Sequence, residues 1–177
     1  MSAEPLPAFL DVRKAATRNI TVKGVVELAG LPRLAQSLVA ADGVAEVICS
    51  FSRDAENRNI VNLEVTASVM VTCQRCLEPM RLPLQIASRL ALVGDIEAAK
   101  QLPATLEPWM DAEEQASLWG LVEEELILAV PVVAYHEDTN CNRLLGEYRR
   151  PPGVSEERGD NPFKVLEQLK LEHTKEN

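Results

Sequence analysis

Apolar and polar residues alternate along residues 62–72. Leu63, Val65, Ala67, Val69 and Val71 point one way, and Asn62, Glu64, Thr66, Ser68, Met70 and Thr72 the other. Successive side chains of a strand face opposite sides, so this predicts a long half-buried strand. After the interruption CQRCLEPM the alternation resumes, with Leu82, Leu84, Ile86, Leu90 and Leu92 set against Arg81, Pro83, Gln85, Ala87 and Arg89. The two arms predict a long hairpin with Cys73 and Cys76 at its tip. Pro83 has no N–H to donate, which places the second arm at a sheet edge or a bulge. Upstream, residues 19–28 read as a first strand. Residues 31–41 read as a helix presenting Leu31, Leu34, Leu38 and Val39, and residues 44–53 as a second strand closed by a turn at 54–57.

The second half of the chain carries helical signals. Residues 95–114 are acidic and irregular, with a short helix at 95–101. A central acidic helix is predicted over 118–130, with Leu118, Leu121, Val122, Leu128 and Ala129 on one face, Ser117 as its cap and Pro131 as its stop. Gly120 weakens its first turn by about 1 kcal/mol. Residues 146–160 have the composition of a flexible linker. Beyond them Asn161 and Pro162 open a short C-terminal helix whose apolar edge, Phe163, Leu166 and Leu169, needs the body or a partner to cover it. The expected fold is α+β: a mainly antiparallel sheet with a long β-hairpin, one central acidic helix and a short C-terminal helix. The expected organisation is a single domain over 1–145, a linker over 146–160, and a helix and tail over 161–177.

Composition narrows the class. With 46% apolar residues in 177, the chain has material for one core, and few aromatics, so Leu, Val, Ile and Ala must build it. No apolar run approaches the roughly 20 residues of a membrane span, and the N-terminus has no secretory h-region. The expected location is the cytoplasm, away from membranes. The net charge of −9 is unevenly distributed. Residues 1–90 carry 10 Lys/Arg and 9 Asp/Glu, whereas residues 91–140 carry 11 Asp/Glu against Lys100 alone. Such an acidic stretch repels nucleic acid and attracts basic proteins, or serves as a solvated surface. The near-neutral first part leaves room for a local basic face, with Arg75, Arg81 and Arg89 of the hairpin as candidate RNA contacts.

Cys73 and Cys76 are open to four readings: metal knuckle, disulfide, redox couple or plain hairpin tip. A reducing compartment weakens the disulfide, and the absence of a strand–CxxC–helix context weakens the redox couple. Zinc asks for four ligands, commonly a knuckle pair and a second pair from elsewhere. His136 and Cys141 supply a second pair directly after the Pro131 stop, making Cys73, Cys76, His136 and Cys141 a candidate Cys3His site for one structural Zn²⁺. The alternative is a set of reduced thiols and a surface histidine. Cys49, inside a predicted strand, reads as a small buried residue.

Catalytic signatures are lacking. The two histidines are His136 and His173, and no nucleophile elbow, phosphate-cradling Gly-rich loop or H-E-x-x-H motif occurs. Glu123, Glu124 and Glu125 fan out around a helix rather than converging. Glu125 falls near the apolar stripe and is expected to be partly buried against an arginine. Glu123 and Glu124 are expected to be solvated, where they are candidate contacts for a basic protein. The expectation is a non-enzyme with no small-molecule substrate.

Four stretches taken in order carry a resemblance: DVRKAATRNITVKGVVEL, Cys73-QRC-Cys76, VEEELILAVPVVAYH followed by Cys141, and NPFKVLEQLK. Together they resemble the YceD-like family of large-subunit rRNA accumulation proteins. The resemblance implies a non-enzymatic role in making, processing or preserving large-subunit (23S) rRNA in the cytoplasm, with 23S rRNA or a large-subunit precursor as partner. Family genes neighbour that of a small basic zinc-ribbon protein of the large subunit, so the resemblance also implies a basic ribosomal protein as an alternative partner. The position of His136 is often another cysteine in the family, which strengthens the Cys3His reading, since Cys and His both ligate zinc.

Overall fold

The structure is a computed structural model, and residues 4–111 and 115–142 are described. The expected linker at 146–160 and the helix bearing Phe163, Leu166 and Leu169 lie outside the described residues. Residues Met1–Cys141 form one compact unit.

The hairpin dominates. Strands β1 (Phe9–Leu10), β2 (Thr21–Glu27), β3 (Val44–Arg53), β4 (Asn59–Thr72), β5 (Pro79–Val93), β6 (Glu107–Met110) and β7 (Ala116–Ser117) form two sheets. The larger runs β2-β3-β4-β5-β6, antiparallel except for the parallel β5–β6 pair; the smaller is a β1–β7 ribbon. The β4–β5 register runs from Ile60 opposite Ala91 to Thr72 opposite Pro79, so the alternation in the two arms meets in phase. Val61, Leu63, Val65, Ala67, Val69 and Val71 are buried, and Asn62, Glu64, Thr66 and Ser68 are exposed. On the neighbouring strand Ala45, Val47, Cys49 and Phe51 join the same core. Burial pushes the Cys49 thiol up to about 12, which keeps it a neutral packing residue.

Helices cover the apolar face. They are α1 (Val12–Thr17), α2 (Pro32–Ala35) and α4 (Leu118–Ala129); α3 (Ile96–Lys100), between β5 and β6, buries none of its residues. Asp11 caps α1 by accepting from Lys14 N at 2.9 Å, and Ser117 caps α4 by accepting from Gly120 N at 3.0 Å. The α4 residues Leu118, Leu121, Val122 and Leu126 sink into the core. Leu128, expected on that face, is 77% exposed. Only Pro32–Ala35 of the helix expected at 31–41 is helical. Beyond it the chain turns back to the sheet, where Val39 N donates to Met70 O at 2.8 Å. Tertiary pairing outweighs a weak helical pattern there.

The region 95–114 holds more order than its composition suggests. Asp95 caps α3, and β6 adds to the end of β5, covering Leu90–Val93 with Asp111 N donating to Val93 O at 3.2 Å. Ile60, Ala91 and Leu106 make a small second core at this end. The rest of the outer β5 edge, including Pro83, pairs with no strand among the described residues, in keeping with a missing N–H.

Candidate metal centre at the hairpin tip

The tip is built to gather sulfur. Leu77 N donates to Cys73 O at 2.8 Å, and Cys73 N to Glu78 O at 2.9 Å, turning the chain tightly around Cys73. Leu77 sits in the left-handed region at φ 63°, which is disfavoured for a branched side chain by about 1 kcal/mol. Strain of this kind persists where surrounding contacts over-determine the backbone. From the other side, Pro131 ends α4 and the chain runs across the tip, with Gln74 N donating to Ala134 O at 2.9 Å.

This crossing brings all four expected ligands together. The ligand atoms of Cys73, Cys76, His136 and Cys141 lie within 4.8 Å of one another, and no other such cluster occurs among the described residues. Cys73 Sγ is 3.9 Å from Cys141 Sγ, and Cys76 Sγ is 3.3 Å from His136 Nδ1. A tetrahedral zinc with Zn–S of about 2.3 Å and Zn–N of about 2.0 Å requires S···S of roughly 3.8 Å and S···N of roughly 3.5 Å. Those two pairs stand close to these spacings, and the four residues could hold a metal ion.

The electrostatics favour thiolate. Cys73 is fully buried, and burial alone pushes its thiol up. Backbone N–H groups of Cys76, His136 and Arg75 aimed at its sulfur reverse this and bring it to about 5. The Arg75 and His136 N–H groups lie 3.5 and 3.4 Å from that sulfur. At Cys76 the Glu78 backbone N–H favours the thiolate. Burial and the neighbouring Cys73 and Cys141 sulfurs outweigh it, so this thiol is raised. A thiolate at Cys73 thus disfavours ionisation at its neighbour Cys76, and a divalent ion bound between them would remove that repulsion.

The other expected site residues separate. Arg75 is half-buried and turned into the centre. Its Nη1 donates to Asp138 O at 3.0 Å and lies 3.7 Å from Cys141 Sγ, and its guanidinium stacks 5.0 Å from the Tyr135 ring. It ties the 135–141 segment to the hairpin. Arg81 and Arg89 do project from the open sheet face; Arg81 pairs with Asp42 at 3.5 Å where both are more than half exposed. Glu124 is exposed and ion-paired with Arg33. Glu123, expected in solvent, is 7% exposed and accepts from Arg33 N at 2.7 Å and Leu34 N at 3.2 Å, capping α2. It is out of reach of a protein partner. Glu125 is buried as expected, but its partner is the Ser88 hydroxyl at 2.5 Å rather than an arginine. Tyr135 and Asp138 were not legible as parts of the centre, although the guanidinium at Arg75 and an aromatic beside His136 are the residue types that form such a lock.

Fold and centre together define a small sheet protein whose hairpin is pinned by a cysteine–histidine cluster of metal-binding type. The chain matches the family described as large ribosomal RNA subunit accumulation protein YceD over residues 61–170. It is also similar to a Haemophilus influenzae protein of that name, 33% identical over 175 residues, covering 96% of this chain and 99% of the relative. The chain belongs to the YceD family. No solved structure matches it. No helix among the described residues is long and apolar enough to cross a membrane.

Proposed function

We propose that this protein is a non-enzymatic cytoplasmic factor that supports the synthesis, processing or stability of 23S rRNA by acting on large-subunit precursors, with one structural Zn²⁺ shaping its hairpin tip. The family's name supports the process. The observation that carries the non-catalytic reading is the closed ligand set. Three sulfurs and one imidazole nitrogen fill all four positions of a tetrahedral ion, leaving none for water or substrate. The metal then supplies rigidity, and Cys73, Cys76, His136 and Cys141 hold it. Arg81 and Arg89 offer phosphate contacts on the open sheet face, which position an RNA without reading its bases. A second reading, an acidic chaperone for a basic large-subunit protein, is favoured by the inward turn of Arg75 and by the charge of residues 91–140.

Metal analysis of protein purified under reducing conditions, paired with the 23S-to-16S ratio in a deletion strain, tests this. About one zinc per chain is expected, lost in Cys73→Ser, together with a 23S deficit that the wild-type gene repairs. Metal-free protein of undiminished stability removes the zinc, and an unaltered ratio on deletion removes the rRNA role.

A further inference from the structure

A groove of about 590 Å³ runs between α4 and β6, away from the metal centre. Its walls expose two large apolar side chains, Met110 at 54% and Leu128 at 77%, beside the largely buried Trp109. Glu107, Asp111 and Glu124 line it, with Glu125 at its base, and Arg33 is the one cation among its lining residues. Single exposed apolar side chains are ordinary on this surface, and what sets the groove apart is four carboxylates around this pair against one guanidinium.

We propose that this groove docks an extended, cationic and partly apolar segment of a partner protein. This deepens the protein-partner reading given above and rests on it. A metal ion is the wrong occupant, because the only described groups that converge to ligand spacing are those at the hairpin tip. Glu124 is already paired with Arg33, Glu125 accepts from the Ser88 hydroxyl and Asp111 from Ser117 N. What the groove offers is therefore an excess of negative charge that complements a cationic chain. The Arg33–Glu124 pair shows that the rim already accepts a guanidinium. RNA fits poorly, since its phosphates meet like charge and it brings no aliphatic side chain to cover Met110 and Leu128. A peptide with Arg or Lys alternating with Leu satisfies both features at once.

Fluorescence anisotropy of the full-length protein with a labelled 12-residue Arg/Leu peptide, at physiological salt, reads this directly. Glu107→Lys with Glu124→Lys is expected to weaken binding about tenfold, and Leu128→Ser, at constant charge, about fivefold. Glu46→Lys with Glu64→Lys makes the same change in net charge on the open sheet face and is expected to alter binding less than about twofold. Thermal melts confirm that each variant folds. Equal losses from both charge reversals, or no loss in Leu128→Ser, overturn the proposal in favour of diffuse attraction. A single-stranded 23S rRNA fragment that binds in the groove, lost with the same substitutions, overturns it in favour of RNA. Self-association abolished by Leu128→Ser overturns it in favour of a second copy. Loss of the groove with zinc content and 23S rescue intact leaves the large-subunit reading standing.

Discussion

Glu123 caps a helix that cannot cap itself. The α2 helix opens at Leu31, which has no side-chain oxygen, and Pro32 at its first position has no N–H. The next two donors, on Arg33 and Leu34, both go to Glu123 Oε1 from α4. Hydrogen bonds to a charged group contribute about 1.5–3 kcal/mol each, the 3.2 Å bond at the low end. Removing the carboxylate in Glu123→Ala also leaves the buried Leu34 N–H without its acceptor, so the expected loss is about 4 kcal/mol. At roughly 3 °C per kcal/mol for a chain of this size, Tm falls by about 12 °C. Glu123→Gln keeps one acceptor oxygen and loses the charge, for about 1–2 kcal/mol. Glu124→Ala, which breaks only the exposed Arg33 pair, changes stability by less than about 0.5 kcal/mol. Urea unfolding followed by circular dichroism gives all three values, with an unchanged m confirming a common transition. A Glu123→Ala protein within about 1 kcal/mol of wild type refutes the capping role.

Two further outcomes follow from local geometry. A Cβ added at Gly24 lies 2.7 Å from the Leu6 backbone and 2.9 Å from Glu4 O, so Gly24→Ala must displace the N-terminal segment from β2. The expected cost is about 1–3 kcal/mol, with a red-shifted Trp119 emission because the indole donates to Leu6 O at 2.9 Å; a wild-type spectrum and melt contradict it. At the β3–β4 turn, burial pushes the Asp54 carboxyl up, but the backbone and guanidinium of Arg58 and the Glu56 N–H bring it below its ordinary 3.8. A depressed value means its stabilisation is present above about pH 4 and is lost as pH falls through the folded value. Asp54→Asn should therefore flatten the acid limb of a stability–pH profile, and an unchanged limb contradicts the assignment.

The sheet was legible because one face of each arm is buried and the other wet, so period and register are written in the side chains themselves. The metal cluster was legible as a ligand list, since cysteine and histidine advertise their chemistry, but its closure depended on the 131–141 segment crossing the tip. Charge was the poor guide. Nothing in the sequence says whether Arg75 or Glu123 stands in solvent or turns inward, and only tertiary partners tell the two apart. Strands β1, β6 and β7 are two to four residues long, too short to show a period, and are set by pairing with distant segments.

The centre joins residues that lie 60 to 68 positions apart in sequence. During synthesis, β4 and β5 emerge and can pair before His136 and Cys141 exist to complete the ligand set. If the cluster takes up the proposed ion, capture is a late event, a latch closed on a sheet already formed rather than a nucleus around which it forms. Closing so long a loop costs little more than closing one half its length, about 0.6 kcal/mol per doubling. A chain made where metal is scarce would then keep its sheet and lose only its fastened tip, coupling the shape of this end of the molecule to metal supply at the time of translation.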